Sequence, residues 1–395
     1  MTTVECIECG GSPVPHRLTY ITIAIDDFVR PFFAPGPILR FFTRVFNRAT
    51  STIVPRLMEL LVRLGIAHKQ AEPDDKTLLL ALMLWNEAKA RGIDMWEWRL
   101  FGLARNMFIA TLPDGRKLSF EGIPLTPRGE QHAWWMDDKK LLKREFKKRG
   151  LPVADGGAFF TLAGAERAFE RIRKPVIVKP HSGSASRHTT LHIDSLPELR
   201  RAFGVAKEVS THAVVEEELS GPVYRATVVD GKFVALLRRD PPSVVGDGTH
   251  TVIELVQEAN RNPQREGPYF SKLKIDDAAQ RELAWQGLAP ESVPEKGRRV
   301  TLHQKVNWSL GGTTADATLG VHPDNITLFE EATRILNADI AGIDFIIEDP
   351  TRSWKEQNKC GFLECNSMPF FDNHHLPFEG EPRNVAAAIW EMHGA

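Results

Sequence analysis

The sequence predicts an α+β protein in three consecutive domains, and three observations predict it. Runs with the 3.6-residue apolar spacing of amphipathic helices alternate with short valine- and isoleucine-rich strands. The first 135 residues differ in texture from the remainder, with Phe28, Phe32, Phe33, Phe41, Phe42 and Phe46 set among prolines and arginines. Gly221-Pro222 then separates two further stretches of strands and helices. The expected bounds are a divergent N-terminal α/β domain over 1–135, a small α+β domain over 136–220 and a larger one over 221–395.

The elements follow in order. Val54, Leu57, Met58, Leu61 and Leu64 put one apolar stripe on a helix over Ser51–Leu64. That stripe suits a core or dimer face better than a membrane surface. Thr77–Arg91 reads as a helix closed by Gly92. Met107–Leu112 and Lys117–Phe120 flank Pro113-Asp-Gly115 as a hairpin. A helix opens at Asp138 and stops before Gly150-Leu-Pro152. Strand Val176–Lys179, helix Leu196–Lys207 and strand Ala213–Glu218 complete the small domain. The large domain opens with strands Tyr224–Val229 and Phe233–Leu237 about Asp230-Gly231, then a helix over Val252–Asn260. Residues 261–300 are polar and proline-rich, expected as a long loop with one helix over Asp277–Gln286. A helix over Asn325–Asn337 precedes two strands, Ile343–Ile347 and Gly361–Asn366.

Lys+Arg total 50 against Asp+Glu 51 in 395 residues, a near balance that argues against a nucleic-acid partner. No run approaches the ~18 apolar residues of a membrane span, and no secretory leader pattern opens the chain. Four cysteines make no disulfide framework, so a reduced, cytoplasmic setting is expected. Cys6 and Cys9 stand in zinc-ligand spacing, but a second compact pair from Cys360 and Cys365 is disfavoured. The simpler reading leaves Cys6 and Cys9 in a loose N-terminal segment and the other two in the core.

The chemistry concentrates on the last two strands. Residues two apart on a strand share a face, so Glu364 and Asn366 project together and Cys365 points away. With Asp344 on a neighbouring strand they would offer a hard oxygen triad of the kind Mg²⁺ shares with phosphates. Upstream, the apolar strand Val176-Ile-Val-Lys179 delivers a lysine into the small-residue loop His181-Ser-Gly-Ser-Ala-Ser-Arg187. Lysines act on polyphosphates as compact point charges. Alone, Lys139, Lys179 and the acidic strand end Glu216-Glu217-Glu218 would each be read as solvated surface. Together with the triad they point to a nucleotide-phosphate site.

The order Asp138-Lys139, Val176-Ile-Val-Lys-Pro180, Val215-Glu-Glu-Glu-Leu219, Ile343-Asp-Phe345 and Glu364-Cys-Asn366 resembles the ATP-grasp enzymes. It is most similar to the ATP-grasp domain of cyanophycin synthetase. The similarity continues through Val244-Val-Gly-Asp-Gly248, Leu273-Lys-Ile-Asp-Asp277, Asn307-Trp-Ser-Leu-Gly-Gly-Thr313 and Val321-His-Pro-Asp-Asn325. It covers roughly residues 137–390 and leaves the N-terminal third unmatched.

The resemblance implies the ATP-grasp fold, two α+β subdomains enclosing ATP. It also implies a carboxylate–amine ligase that forms an amide bond through an acyl phosphate and releases ADP and phosphate. By position, Lys139 and Lys179 would hold ATP phosphates, and the loop His181–His188, with Gly183, Ser184 and Ser186, would close over the γ-phosphate. Glu216, Glu217 and Leu219 would line the adenine. Asp344, Glu364 and Asn366 would bind two Mg²⁺ ions, for which Mn²⁺ can substitute. Arg225, Arg239 and Asn307 would grip the reacting carboxylate and phosphoryl group. Small-molecule amino acids or peptides would be the substrates, and a homo-oligomer the working form.

The chain departs from the pattern at Val223, where related ligases carry an acid for the ribose, and in its loop with the single glycine Gly183. The Mur-ligase-like domain of cyanophycin synthetase does not follow within the 395 residues, so the complete two-step enzyme is not expected. A phosphotransferase that stops at phosphorylation and a catalytically inactive nucleotide-binding protein are the rival readings. Asn373-His374-His375 in the final loop could touch substrate, and Arg238, Arg239, Arg298 and Arg299 would suit an acidic one.

Overall fold

The computed structural model describes residues 6–9, 14–29, 53–101, 103, 106–182, 187–267 and 269–395. Of the aromatic cluster read in the sequence, only Phe28 lies among them, and Gly183, Ser184 and Ser186 fall outside. Helix α1 (His16–Val29) and a helix over 53–63 (α2) lead into strand β1 (Ala67–Gln70) and helix α3 (Leu79–Ala90). Strands β2 (Asp94–Leu100), β3 (Met107–Thr111) and β4 (Lys117–Glu121) follow, giving an antiparallel meander in the order β1-β2-β3-β4. Its last turn needs Gly115 at φ +85°, a conformation glycine adopts without cost.

The next unit holds α4 (Lys139–Lys148), β5 (Gly156–Phe159), α5 (Leu162–Phe169), β6 (Val176–Pro180), β7 (Thr190–Ile193), α6 (Leu196–Lys207) and β8 (Ala213–Glu217). The four strands make an antiparallel sheet in the order β5-β8-β6-β7. Val176, Val178, Ala213 and Val215 turn one face toward α5 and α6, closing a compact core.

The remaining elements are β9 (Val223–Val229), β10 (Lys232–Asp240), β11 (Ser243–Val245), α7 (Val252–Ala259) and α8 (Asp277–Trp285). They continue through β12 (Arg299–Thr301), β13 (Thr313–Asp316), α9 (Pro323–Leu336), β14 (Ile340–Ile346), β15 (Gly361–Asn366), α10 (Asp372–His375) and α11 (Val385–Met392). Five of these strands form the central sheet, ordered β13-β10-β9-β14-β15. Strict alternation divides β9 between two faces. Tyr224, Ala226 and Val228 pack with Phe345, Phe362 and α9 in the main core, whereas Arg225 and Thr227 point to the other side. Residues 261–300 are more than the expected loop: Leu273, Leu283 and Val300 bury against Val244, Val252 and Val256 in a core of their own.

On the arginine-bearing face, the far end of the central sheet fuses with the N-terminal meander. Val229, Ala235 and Ile340 share one core with Trp85, Phe108 and Phe120 of the meander and with Val385, Ile389 and Trp390 of α11. Trp390 is fully buried, and its indole N–H donates to the Leu84 carbonyl at 3.0 Å. The C-terminal helix therefore joins the first sheet to the central one. Trp390→Ala should cost about 3–5 kcal/mol and lower the denaturant midpoint of both sheets together. Unfolding of the meander at an unchanged midpoint would separate it from this core.

Candidate functional site

The site begins with register. Arg225 on β9 lies directly opposite Asp344 on β14, and Asp344 lies opposite Glu364 on β15. Directly paired residues share a face, so the three side chains stand in a row across the central sheet. One step along, Thr227, Gly342 and Asn366 form a parallel row. Cys365, between Glu364 and Asn366, is buried in the core on the reverse face.

Asp344 is only 4% exposed, and cations surround it. Arg225 donates through Nε to Oδ1 and through Nη2 to Oδ2, the second at 2.9 Å. Arg239 donates from Nη1 to Oδ2 at 2.9 Å. Burial alone would raise the Asp344 carboxyl, but the two guanidiniums outweigh it and hold it at about 2. Gly342 makes room for this pairing. A Cβ there would sit 2.5 Å from the Pro369 side chain and 3.5 Å from Arg225 Nη1. Arg239 also donates to the Val306 carbonyl at 3.3 Å, while its buried Nε has no acceptor among the described residues.

Helix α4 brings the lysines. Asp138 caps it, accepting from the backbone N–H of Lys140 and Leu141 at 2.9 Å each. Phe146 anchors it on β15, with its ring 4.8 Å from that of Phe362. Lys139 and Lys143 are one turn apart on one helix face, yet they reach different sheets. Lys139 Nζ lies 3.0 Å from Glu364 Oε2. Lys143 and Lys179 both bond the carboxylate of Glu216 on β8. Burial would raise Glu216, but the two ammonium groups dominate and hold it at about 2. Burial pulls Lys143 down to about 8.

A cavity of about 200 Å³ opens between the two sheets, lined among others by Ile177, Glu216, Leu219, Val223, Arg239 and Leu363. Glu217, also in its wall, donates its backbone N–H to the Asp155 carbonyl at 2.8 Å.

Other residues singled out in the sequence take different settings. Glu216 was expected to line a base, and its residue does border the cavity, but its charge is spent as the buried counterion of two lysines. The ends of the loop at 181–188 are anchored: His181 bonds Ser210 at 2.7 Å and Asp27 at 2.9 Å, and His188 is fully buried. Asn307 is not brought into the arginine–carboxylate row. It caps the turn Trp308–Leu310, accepting through Oδ1 from the Ser309 N–H at 3.0 Å, next to the Val306 that Arg239 touches. Cys360 and Cys365 pack in the main core, as expected, whereas Cys9 is buried rather than loose.

Sequence reasoning missed Lys143, although its spacing of four from Lys139 was a signal. It also undervalued the buried α10. His374 bonds Thr227 Oγ1 at 2.8 Å, and burial holds it neutral at about 3. Asp372 Oδ1, Asn373 Oδ1 and His374 Nδ1 are buried there without partners among the described residues. His375 has a structural partner, the Ala386 N–H at 3.2 Å.

Comparison with known proteins now bears on this geometry. Over 80% of its length the chain superposes on a bifunctional glutathione synthetase from Pasteurella multocida, with TM-score 0.57 and 24% identity, covering 44% of that chain. The chain has the ATP-grasp fold. In sequence it is 36% identical over 259 residues to the cyanophycin synthetase of Trichormus variabilis, which is 65% of this chain and 29% of that protein. It is 26% identical over 314 residues to the glutathione biosynthesis bifunctional protein of Clostridium perfringens, or 78% of this chain and 40% of that one. The chain thus spans less than a third of the cyanophycin synthetase and less than half of the glutathione protein. No family model matches it.

Within this fold the two buried carboxylates are counterions first. Asp344→Asn or Glu216→Gln strands a pair of largely buried cations and should cost about 3–5 kcal/mol. Glu364→Gln, at a half-open position, should stay within about 1 kcal/mol. Glu216 has a depressed folded pKa, so its contribution is complete above the ordinary carboxyl value of 4.5 and is lost as pH falls toward 2. Glu216→Gln should flatten the acid limb of stability in that window. Chemical denaturation across pH checks both points, and an unchanged acid limb would deny Glu216 this role.

Proposed function

We propose that the chain is an ATP- and Mg²⁺-dependent carboxylate–amine ligase. It joins the carboxylate of an amino acid or peptide to an amine through an acyl phosphate, releasing ADP and phosphate. The observation that carries this reading is the convergence at the inter-sheet cleft of three lysines, two arginines and three carboxylates. A carboxylate and a triphosphate repel each other, so a catalyst that brings them together needs dense, fixed positive charge in a dry setting. The similarity to cyanophycin synthetase and to the glutathione protein supports the same chemistry.

The donor set fits magnesium. Asp344 and Glu364 are paired across the sheet and Asn366 shares their face, giving hard oxygen donors only. Both Asp344 oxygens accept from arginine, yet a carboxylate has about four acceptor positions, so one side remains for a cation. Asp344, Glu364 and Asn366 would hold two Mg²⁺ ions, replaceable by Mn²⁺, which supply neutralisation of phosphate oxygens. Lys139, Lys143 and Lys179 stand along the polyphosphate path as point charges. Arg239, whose buried Nε has no partner among the described residues, and Arg225 bind the substrate carboxylate and the transferring phosphoryl group. Asn307 positions the segment beneath Arg239. The cavity accepts the base, with the main chain of Glu217 and Leu219 at its edge. The segment holding Gly183, Ser184 and Ser186 excludes water from the acyl phosphate.

The test is a coupled assay for ADP and phosphate with pooled amino acids and dipeptides. Release should require both an acid and an amine and yield a product equal to their sum less water. ADP formation with an acid alone, and a stable phosphorylated product, would make the protein a phosphotransferase instead. Glu364→Gln keeps the fold and should lower turnover by about 10²–10³. Turnover near wild type would remove this carboxylate from the mechanism.

A further inference from the structure

Far from the carboxylate row, four ligand-type side chains from three separate segments meet at one point. Cys6 precedes and Cys9 ends a 3-10 turn over Ile7–Cys9, His16 opens α1, and His188 precedes β7. Their ligating atoms all lie within 4.8 Å of one another. Cys9 Sγ is 3.3 Å from His16 Nε2 and 3.5 Å from His188 Nε2, and Cys6 Sγ is 3.8 Å from His188 Nε2. Zinc bonds of about 2.3 Å to sulfur and about 2.0–2.1 Å to nitrogen, set at tetrahedral angles, place sulfur and nitrogen about 3.6 Å apart. The observed separations bracket that edge.

The surroundings are built to match. His188 Nδ1 lies 2.9 Å from the Val205 carbonyl, which fixes the proton on Nδ1 and leaves the Nε2 lone pair facing both sulfurs. His16 Nδ1 lies 3.4 Å from the Glu208 carboxylate, so its Nε2 likewise faces Cys9. Metal-binding imidazoles are typically oriented by such an oxygen on the far nitrogen. The backbone locks the same arrangement. The Cys9 N–H donates to the Cys6 carbonyl at 3.0 Å, and the His188 N–H donates to the Glu8 carbonyl at 2.9 Å. Lys305 Nζ bonds that same Glu8 carbonyl at 2.9 Å. His188 pays for its place with a left-handed φ of +52°, a strain that a bulky residue keeps only where its surroundings demand it. Cys9 and His188 are buried, at 2% and 0% exposed.

We propose that Cys6, Cys9, His16 and His188 form a structural Zn²⁺ site. Two thiolates and two neutral imidazoles balance the ion's charge, and four protein ligands leave no open position, so the site is closed and not catalytic. Coordination releases the two thiol protons to solvent and changes no oxidation state. The ion ties the N-terminal segment and α1 to the C-terminal end of the loop between β6 and β7. That end is His188, nine residues after Lys179. The site does not depend on the ligase reading.

The experiment uses the full chain, purified under reducing conditions, reconstituted with Zn²⁺ and freed of loose metal by desalting. Elemental analysis should find about one zinc per chain. Co²⁺ in its place should give the intense visible bands of a tetrahedral ion and a thiolate charge-transfer band. Cys9→Ser and His188→Ala should lose the bound ion, while Cys360→Ser retains it. Should either ligand variant fail to fold, the Co²⁺ spectrum of the wild-type chain decides alone. Less than a tenth of an equivalent after reconstitution, an octahedral Co²⁺ spectrum, or full loading in Cys9→Ser would each overturn the site.

Discussion

The buried pairing of Asp344 with Arg225 and Arg239 is the constraint on which the rest of this structure depends. A carboxylate removed from water is costly unless it is paired and hydrogen-bonded on most sides. Here the two guanidiniums meet that need, and they do so only because β9, β14 and β15 hold one register. A slip of one residue would bury Arg225 in the aromatic core and bring Ala226 to the cleft. Gly342 belongs to the same constraint, since a side chain there would fill the space Arg225 crosses. The sheet is therefore apolar on the α9 side, while its other face is ionic at the cleft and apolar where it meets the meander.

A second ion cluster answers the first across the cleft. Lys143 and Lys179 neutralise Glu216 on the small sheet, while Lys139, one turn away on the same helix, reaches Glu364 on the central sheet. Helix α4 thus touches both walls, and its Asp138 cap and the Phe146–Phe362 contact fix its direction. An incoming polyphosphate would compete with carboxylates for these lysines rather than with water. The cleft holds its positive charge in ion pairs.

Much of the fold was legible because period and punctuation carry it. Helix Leu196–Lys207 and the hairpin at Pro113–Gly115 were placed by apolar spacing and glycine alone. The alternation Glu364-Cys365-Asn366 foretold which side chains share a face, and the register agrees. Strands β5 and β7 escaped because Gly156–Phe159 and Thr190–Ile193 are four residues each, too short for a period to appear. Residues 261–300 looked like a loop because their few apolar residues bury locally, without a long amphipathic run. Distance in sequence hid the rest. Glu216 reads as one of three surface acids until Lys143 and Lys179 arrive from other elements. His188 stands 179 residues from Cys9, and nothing in its own neighbourhood marks it as a partner.

The central claim is that the lysine-lined cleft and the Asp344–Glu364–Asn366 edge together bind a metal–triphosphate. Calorimetric titration of a non-hydrolysable ATP analogue, with and without Mg²⁺, tests it without knowledge of the substrates. The account predicts saturable binding at one site per chain that tightens on adding Mg²⁺, with that gain lost in Glu364→Gln. Binding that is indifferent to Mg²⁺, or no binding at all by the folded chain, would contradict it.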